Sequence, residues 1–384
     1  MNSVTGADKK LYGLDHLRAL AIILVFLYHY GRLFPHPEWT NTISSFGWAG
    51  VDLFFVLSGY LIASQLFKSI ARQQKISLKE FFVKRTFRIL PAYFFVLAIY
   101  FLIPAARERE ALAPLWKYLT FTQNIGLDVS AKGTFSHAWS LCIEEQFYLL
   151  LPLILIAMVN LRLFKKGYWL LLGLFASGFL IRWFLFHHFV ASTKDEDWIT
   201  WSKWIYYPTW SRLDGLLIGV SIAALLQFKP AFSKRLLSHG NRLLMGSLIL
   251  FAIGYFFCGV ETSFAASVFG FPLVDAGFGC MVLCALSPNS FLYMHQSKTT
   301  SKIAALSYGI YLIHKIVIHV MQPLFVKVKI EDNGNIMFLI CVATVFLAAI
   351  VLNKTIEKPF LALRGKILEK EKFVVKKPAE VLRA

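Results

Sequence analysis

The stretch Leu14–Gly31 reads LDHLRALAIILVFLYHYG and decides how the rest of the chain is interpreted. It is long and apolar enough to cross a bilayer, yet it carries Asp15, Arg18 and His29. Eleven helical steps of about 100° separate Arg18 from His29, so both lie within roughly 20° of one face, about 16 Å apart along the axis. Asp15 falls near the same stripe. Ionisable residues in a span are costly, so the stripe predicts a functional site; the alternative is a snorkelling arginine and a hydrogen-bonded structural histidine.

Composition indicates a polytopic membrane protein. Of the 384 residues, 57% are hydrophobic and only 16% are charged, against about 45–50% apolar and about 25% charged in soluble domains. The net charge of +18 would suit nucleic acid, but no soluble basic domain is predicted to bind it, so we exclude that partner. The five cysteines lie in apolar stretches without a CxxC pair, which predicts buried thiols and neither a disulfide nor a metal.

Ten apolar segments reach spanning length, so we predict an all-α, polytopic integral membrane protein with about ten transmembrane helices. The N-terminus, every second loop and the C-terminal tail hold roughly 28 Lys and Arg, and the other loops roughly 9. By the positive-inside rule both termini are cytoplasmic. The transmembrane domain is assigned to 1–366 and a charged cytoplasmic tail to 367–384. The segments are 14–33, 47–67, 89–104, 138–159, 168–187, 204–227, 243–259, 265–286, 303–325 and 334–353.

The first cytoplasmic loop ends in KRTFRILP, where Arg85 and Arg88 are three residues apart and share a helix face. Two guanidinium forks on one face suit phosphate groups. The alternative is the ordinary anchoring of a cytoplasmic loop by positive charge.

The fourth span opens with HAWSLCIEEQFYLLLP, in which Ser140, Glu144 and Tyr148 form one stripe at i, i+4 and i+8. By charge topology this end faces outward, the side that His29 approaches from the first span. A carboxylate beside a buried histidine can orient it and hold its tautomer. We therefore expect the first and fourth spans to face each other, with Glu144 close to His29; interfacial carboxylates at a helix N-terminus are the alternative.

Other polar residues in apolar segments have structural explanations at least as good as functional ones. The pair Ser58-Gly59 lies in the second span, where small residues permit close helix approach. Arg212 and Asp214 are two residues apart and point to different faces, so we expect them to find different partners. His314 lies inside the ninth span. The longest far-side loop, 105–136, has an apolar run that favours folding back toward the membrane interface.

Taken together, these segments resemble the membrane-bound acyltransferase-3 family. The resemblance runs in the family's order over residues 14–361, through LDHLRALAIILVFLYHY, GVDLFFVLSGYLI, RTFRILP, WSLCIEEQFYLLLP, RLDGLLIG, SYGIYLIH and IEKPF. It implies a bacterial inner-membrane enzyme that moves an acyl group, usually acetyl, from cytoplasmic acyl-coenzyme A to a sugar hydroxyl. The acceptor would be a lipid-linked or cell-surface glycan, such as a polysaccharide or lipopolysaccharide. The chain is similar to the standalone members, which lack a fused periplasmic domain.

The resemblance also implies roles for individual residues. His29 would be the essential histidine, Arg18 its paired cation, Arg85 and Arg88 the arginine motif that binds acyl-coenzyme A, and Glu144 the fourth-span glutamate. Residues expected to line the site are Asp15, Ser58, Ser140, Tyr148, Arg212, Asp214 and His314. No metal is expected.

Two mechanisms and two functions stay open at this point. A neutral His29 either takes the proton of the attacking hydroxyl or accepts the acyl group itself as a relay. The alternative function is a proton-coupled transporter or flippase, because such carriers also place His, Glu, Arg and Asp in several spans. The sequence identifies neither the acceptor nor the oligomeric state.

Overall fold

The computed structural model describes residues 11–109, 111–192 and 197–376, and these residues form helices and loops without a strand. Eleven long helices organise this part of the chain. They are α1 Tyr12–Leu33, α2 Ala49–Ala71, α3 Leu78–Leu102, α4 Trp139–Asn160, α5 Gly167–Leu185, α6 Asp214–Phe228, α7 Gly240–Phe257, α8 Phe271–Leu286, α9 Lys298–Val326, α10 Asn335–Leu352 and α11 Lys358–Lys376.

The all-α, polytopic prediction is confirmed, but the count of spans differs. Among the described residues, eight helices are long and apolar enough to cross a membrane: α2–α5 and α7–α10, some with short extensions. A ninth is counted if α6 and Pro230–Leu237, bent by 112°, form one broken span. The predicted ten also included α1, which has 22 residues but is made less apolar by Asp15, Arg18 and His29. The orientation of the termini stays a prediction.

Two helix starts differ from the expected boundaries. Helix α3 begins eleven residues before position 89 because Ser77 caps it, its Oγ accepting the Glu80 N–H at 3.2 Å. The arginine pair therefore stands on the helix itself. The expected span 204–227 is interrupted. A wide π-helical turn at Ser202–Tyr206 precedes Pro208, which disfavours helix in the residue before it, and α6 starts only at Asp214.

Buried ion pairs join α6 to its neighbours. The Arg212 guanidinium lies 2.5 Å from Asp52 of α2, and Asp214 lies 2.5 Å from Arg182 of α5. Arg212 and Asp214 thus have different partners, as expected. Helices α2 and α6 also touch through their backbones, since a Cβ added at Gly59 would collide with the carbonyl of Leu216. The predicted close approach at Ser58-Gly59 is therefore confirmed for the glycine.

Helices α1 and α9 run side by side in the same direction. Near their starts, Ser301 Oγ donates to Asp15 Oδ2 at 2.8 Å, and His16 Nδ1 lies 2.7 Å from Thr300 Oγ1. Further along, the side chains of His29 and His314 meet. This parallel register was not foreseen, and it brings two histidines together that lie 285 positions apart in the chain.

The loop 105–136 folds back onto the helices. The buried Tyr118 hydroxyl donates to the Thr134 carbonyl at 3.1 Å, and Asn124, also fully buried, donates to the Tyr207 carbonyl at 3.2 Å. At the other end of the chain, α11 continues through the predicted domain boundary at 366 to Lys376. Residues 377–384 of the expected tail, like residues 1–10, lie outside the described residues.

Candidate active site

Three histidine rings meet where α1, α4 and α9 approach one another, and we call this region the histidine end. The ring centroids of His29 and His314 are 4.9 Å apart, those of His137 and His314 5.1 Å, and those of His29 and His137 5.8 Å. His29 comes from the last turns of α1, His314 from the middle of α9, and His137 from the turn that precedes α4. In residues 11–109, 111–192 and 197–376, no group of three His, Cys, Asp or Glu is placed to hold a metal ion.

The hydrogen bonds of His29 fix its tautomer. Its Nδ1 lies 3.0 Å from the carbonyl oxygen of Val25, one turn earlier on α1. A carbonyl oxygen can only accept, so Nδ1 carries the proton and Nε2 of the neutral ring keeps a lone pair. His29 also lines a cavity, so it can offer this basic nitrogen to a ligand there.

The cavity beside His29 has a volume of about 280 Å³ and an aromatic wall. Two cations, Arg32 and Arg109, also line it, and Lys315 reaches it from α9. Lys315 forms a buried ion pair with Glu108 of the 105–136 loop at 2.6 Å. Burial raises the pKa of Glu108, but Lys315 outweighs that effect and the net pKa lies below its ordinary value. The aromatic lining comprises Tyr28, Trp48, Trp139, Trp198, Tyr206 and Tyr207.

Ser140 reaches the histidines indirectly. Its Oγ lies 2.7 Å from the Tyr311 hydroxyl, which itself donates to the main-chain carbonyl of His137. His137 donates from Nε2 to the Leu312 carbonyl at 3.4 Å, and its Nδ1 is buried without a hydrogen-bond partner among the described residues. The network therefore ties the start of α4 to the middle of α9.

The predicted arginines gather at the other end of the bundle, which we call the arginine end. Arg18 lies within electrostatic range of Arg85, Arg88 and Tyr148. Its own partner is Asp15, at 3.8 Å. The Arg85 guanidinium stands over the Tyr148 ring at 5.5 Å, and Arg88 lies 3.7 Å from the Glu357 carboxylate.

Glu144 contacts a residue of the arginine end, and its expected closeness to His29 stays a prediction. The Tyr148 hydroxyl donates to Glu144 Oε2 at 2.7 Å and lies 2.9 Å from Ser58 Oγ. Within the described residues Glu144 neither hydrogen-bonds His29 nor lines its cavity.

Comparison with known proteins identifies the family. A model of the acyltransferase domain matches residues 11–353. The chain belongs to the acyltransferase-3 family. It is similar to the O-acetyltransferase OatA of Staphylococcus aureus, with 28% identity over 98% of this chain and 61% of the relative. It is equally similar, at 28% over 90% of this chain and 54% of the relative, to the putative peptidoglycan O-acetyltransferase YrhL of Bacillus subtilis. The chain thus spans little more than half the length of these curated relatives. No solved structure matches.

Several motifs of this acyltransferase-3 chain meet in space. At the arginine end, Arg88 of RTFRILP contacts Glu357 of IEKPF, and Tyr308 of SYGIYLIH donates to the Ile89 carbonyl at 2.8 Å. Arg212 and Asp214 do not line the cavity and are held in the buried pairs described above, but the Arg212 guanidinium stands 4.9 Å from the Tyr206 ring and 5.8 Å from the Trp139 ring of the cavity wall. His137 and Lys315 were not predicted as site residues, although each is next to or inside a quoted motif. Two features of the sequence could have identified them: His137 is a histidine at the start of the fourth apolar span, and Lys315 is a lysine next to His314 inside the ninth span.

Proposed function

We propose that this protein transfers an acetyl group from acetyl-coenzyme A to a sugar hydroxyl of a lipid-linked or cell-surface glycan. The observation that carries the proposal is His29, whose free Nε2 lies beside an aromatic cavity while its own helix extends to the arginine end. Two relatives are named O-acetyltransferases, which supports acetyl as the transferred group, and one of these names specifies peptidoglycan, which supports a glycan acceptor.

The sugar would occupy the cavity at the histidine end. Aromatic faces stack against the apolar C–H surface of a saccharide ring, and Trp139, Trp198 and Tyr207 supply three such faces. Arg32 and Arg109 would hydrogen-bond the polar edge of the ring. A hydroxyl held here would lie against His29.

Acetyl-coenzyme A would bind at the arginine end. Its phosphates are anionic, and Arg18, Arg85 and Arg88 offer guanidinium groups; the ion pairs of Arg18 and Arg88 are long and partly solvated. Arg18 and His29 are about 16 Å apart on α1 at 1.5 Å per residue. The extended pantetheine arm would cover that distance and bring the thioester to the histidine. Glu144 and Tyr148 would line the donor's path.

In the direct route, His29 Nε2 takes the hydroxyl proton while the sugar oxygen forms a bond to the thioester carbonyl carbon. The carbon–sulfur bond then breaks, and His29 returns the proton to the departing thiolate. In the relay route, Nε2 itself attacks the thioester carbonyl carbon and coenzyme A leaves as the thiolate. In a second step the sugar oxygen attacks the acetyl carbon, the hydroxyl proton passes to the thiolate, and the carbon–nitrogen bond breaks to restore His29. Mass spectrometry of the His29 peptide after mixing with donor alone distinguishes the routes, since only the relay leaves acetyl on the ring.

We further propose a location in a bacterial inner membrane with both termini in the cytoplasm, because cationic loops alternate along the chain. The arginine end would then face the cytoplasm, where acyl-coenzyme A is made. The function is tested by mass spectrometry of surface glycans from a deletion strain complemented with wild type or His29→Ala. We expect one acetyl to be lost on deletion and restored only by wild type; restoration by His29→Ala would refute the proposal.

A further inference from the structure

We propose that His314 is a positioning residue that fixes the reactive tautomer of His29. The inference rests on the proposed function and adds a residue to it. His314 is fully buried on α9, and its Nε2 lies 3.1 Å from His29 Nδ1.

The tautomer of His314 follows from its backbone contacts. Its Nδ1 lies 3.0 Å from the Ile310 carbonyl oxygen and 2.9 Å from the Tyr311 carbonyl oxygen. Both partners only accept, so Nδ1 of His314 carries the proton. In the neutral ring Nε2 is therefore an acceptor, and it faces the nitrogen of His29 that must donate.

The hydrogen bonds consequently run in one direction. His29 Nδ1 donates to two acceptors, the Val25 carbonyl and His314 Nε2, and His314 donates to the backbone of its own helix. In the other tautomer, the His29 Nδ1 lone pair would face both acceptors without a proton between them. Leaving buried acceptors unpaired is unfavourable, because they have lost their hydrogen bonds to water. The pair of acceptors therefore keeps the lone pair of His29 on Nε2, where the sugar or the thioester would meet it.

His314 also holds the ring after it has reacted. When Nε2 of His29 takes a proton or an acetyl group, Nδ1–H carries more positive charge and its bond to His314 strengthens. Two charged groups lie near this pair, Lys315 and Glu108, and they form an ion pair with each other. The third imidazole, His137, lies 5.1 Å from His314 between ring centroids. Among the described residues His314 does not itself line the cavity, whereas His29 does, so the action of His314 passes through His29.

The test replaces His314 by Leu and by Gln in the purified full-length protein, with His319→Gln as the matched control. His319 is half-buried, five positions further along α9, and does not line the cavity. Leucine removes the acceptor, whereas the Gln side-chain oxygen can reach the place of Nε2. We expect kcat to fall about 10- to 100-fold in His314→Leu with KM for both substrates changed less than about twofold. His314→Gln should recover most of that loss, and the control should match wild type.

Nitrogen-15 spectra of the imidazole rings provide the readout that a purely structural role would not move. We expect His29 to be protonated on Nδ1 in wild type and in His314→Gln, and to become a mixture of tautomers in His314→Leu. An unchanged tautomer in His314→Leu, or a Gln variant as slow as the Leu variant, would overturn the proposal. If His314→Leu does not fold, as judged by its melting temperature, the wild-type spectrum and the Gln variant still decide. The spectra need no acyl transfer, so failure of the proposed function is seen separately, as retained transfer by His29→Ala.

Discussion

The histidine end and the arginine end treat charge in opposite ways. At the histidine end, imidazoles donate to main-chain carbonyls, and the buried ammonium of Lys315 is held at 2.6 Å by Glu108. At the arginine end, the ion pairs of Arg18 and Arg88 are 3.8 and 3.7 Å long, and each arginine side chain is 37% exposed. Fixed tautomers suit proton or acyl transfer, whereas loosely paired guanidiniums are available to an arriving polyanion. One helix, α1, contributes to both ends.

The largest effect should come from His29→Ala. This variant removes the nitrogen that takes the proton or the acetyl group, so we expect acetyl transfer to fall by about three orders of magnitude. Binding of acetyl-coenzyme A, measured by thermal stabilisation of the purified protein, should be nearly unchanged because the arginine end is intact. Transfer above a few per cent of wild type would remove His29 from the chemistry.

Substitutions at the arginine end should weaken binding of the donor and leave binding of the acceptor unchanged. We expect Arg85→Ala or Arg88→Ala to raise the Kd for acetyl-coenzyme A about tenfold, since each guanidinium would lose a charge-assisted contact to phosphate. The loss should shrink at high salt because the charges are partly exposed. Arg72→Ala, an exposed arginine at the end of α2, is the control. Equal donor affinity in all three variants would identify the pair as membrane anchors.

Glu144 tests where the boundary between the two ends lies. Its hydrogen bond from Tyr148 assigns it to the donor's path, and a Gln side chain can still accept that bond. We therefore expect Glu144→Gln to lower kcat less than about fivefold. Titrating donor and acceptor separately is the measurement. A loss as large as that of His29→Ala would mean that the carboxylate itself takes part in the reaction.

Among these four predictions, the smallest effect is expected from the aromatic wall. Trp198→Leu should raise KM for the saccharide about two- to threefold and leave KM for acetyl-coenzyme A unchanged, because one stacking face is lost from a wall of several. Trp169→Leu, an exposed tryptophan on α5, is the matched control. A change in donor KM with unchanged acceptor KM would reverse the assignment of the two ends.

Local periodicity accounts for what the sequence predicted correctly. The helical repeat aligned Arg18 with His29 on α1 and placed Arg85 and Arg88 on one face of α3. Each of these inferences spans at most eleven residues of one element. Their contacts in the structure agree with the expected grouping of the arginines, while the roles of these residues stay proposals.

Contacts between distant segments could not be predicted in the same way. The pairing of α1 with α9 depends on packing across 285 positions, and nothing in either segment specifies the other. Glu144 was expected beside His29 from depth alone, and that reasoning did not foresee the ring of His137, which comes from the turn before α4 and lies 5.8 Å from the His29 ring. The helix break before Asp214 is associated with Pro208 and with the ion pairs of Arg212 and Asp214 to other helices. A hydropathy profile contains no information about such pairs.

The central claim is that donor and acceptor reach His29 from opposite ends, and vesicles test it most directly. Glu357 contacts Arg88, so α11 starts at the arginine end, and a protease-sensitive tag after α11 reports the orientation of the reconstituted protein. Labelled acetyl-coenzyme A is supplied on one side and the glycan acceptor on the other. We predict labelled glycan only when the donor is on the side of the tag and the acceptor is opposite. Label formed only when both substrates share one side would contradict the account.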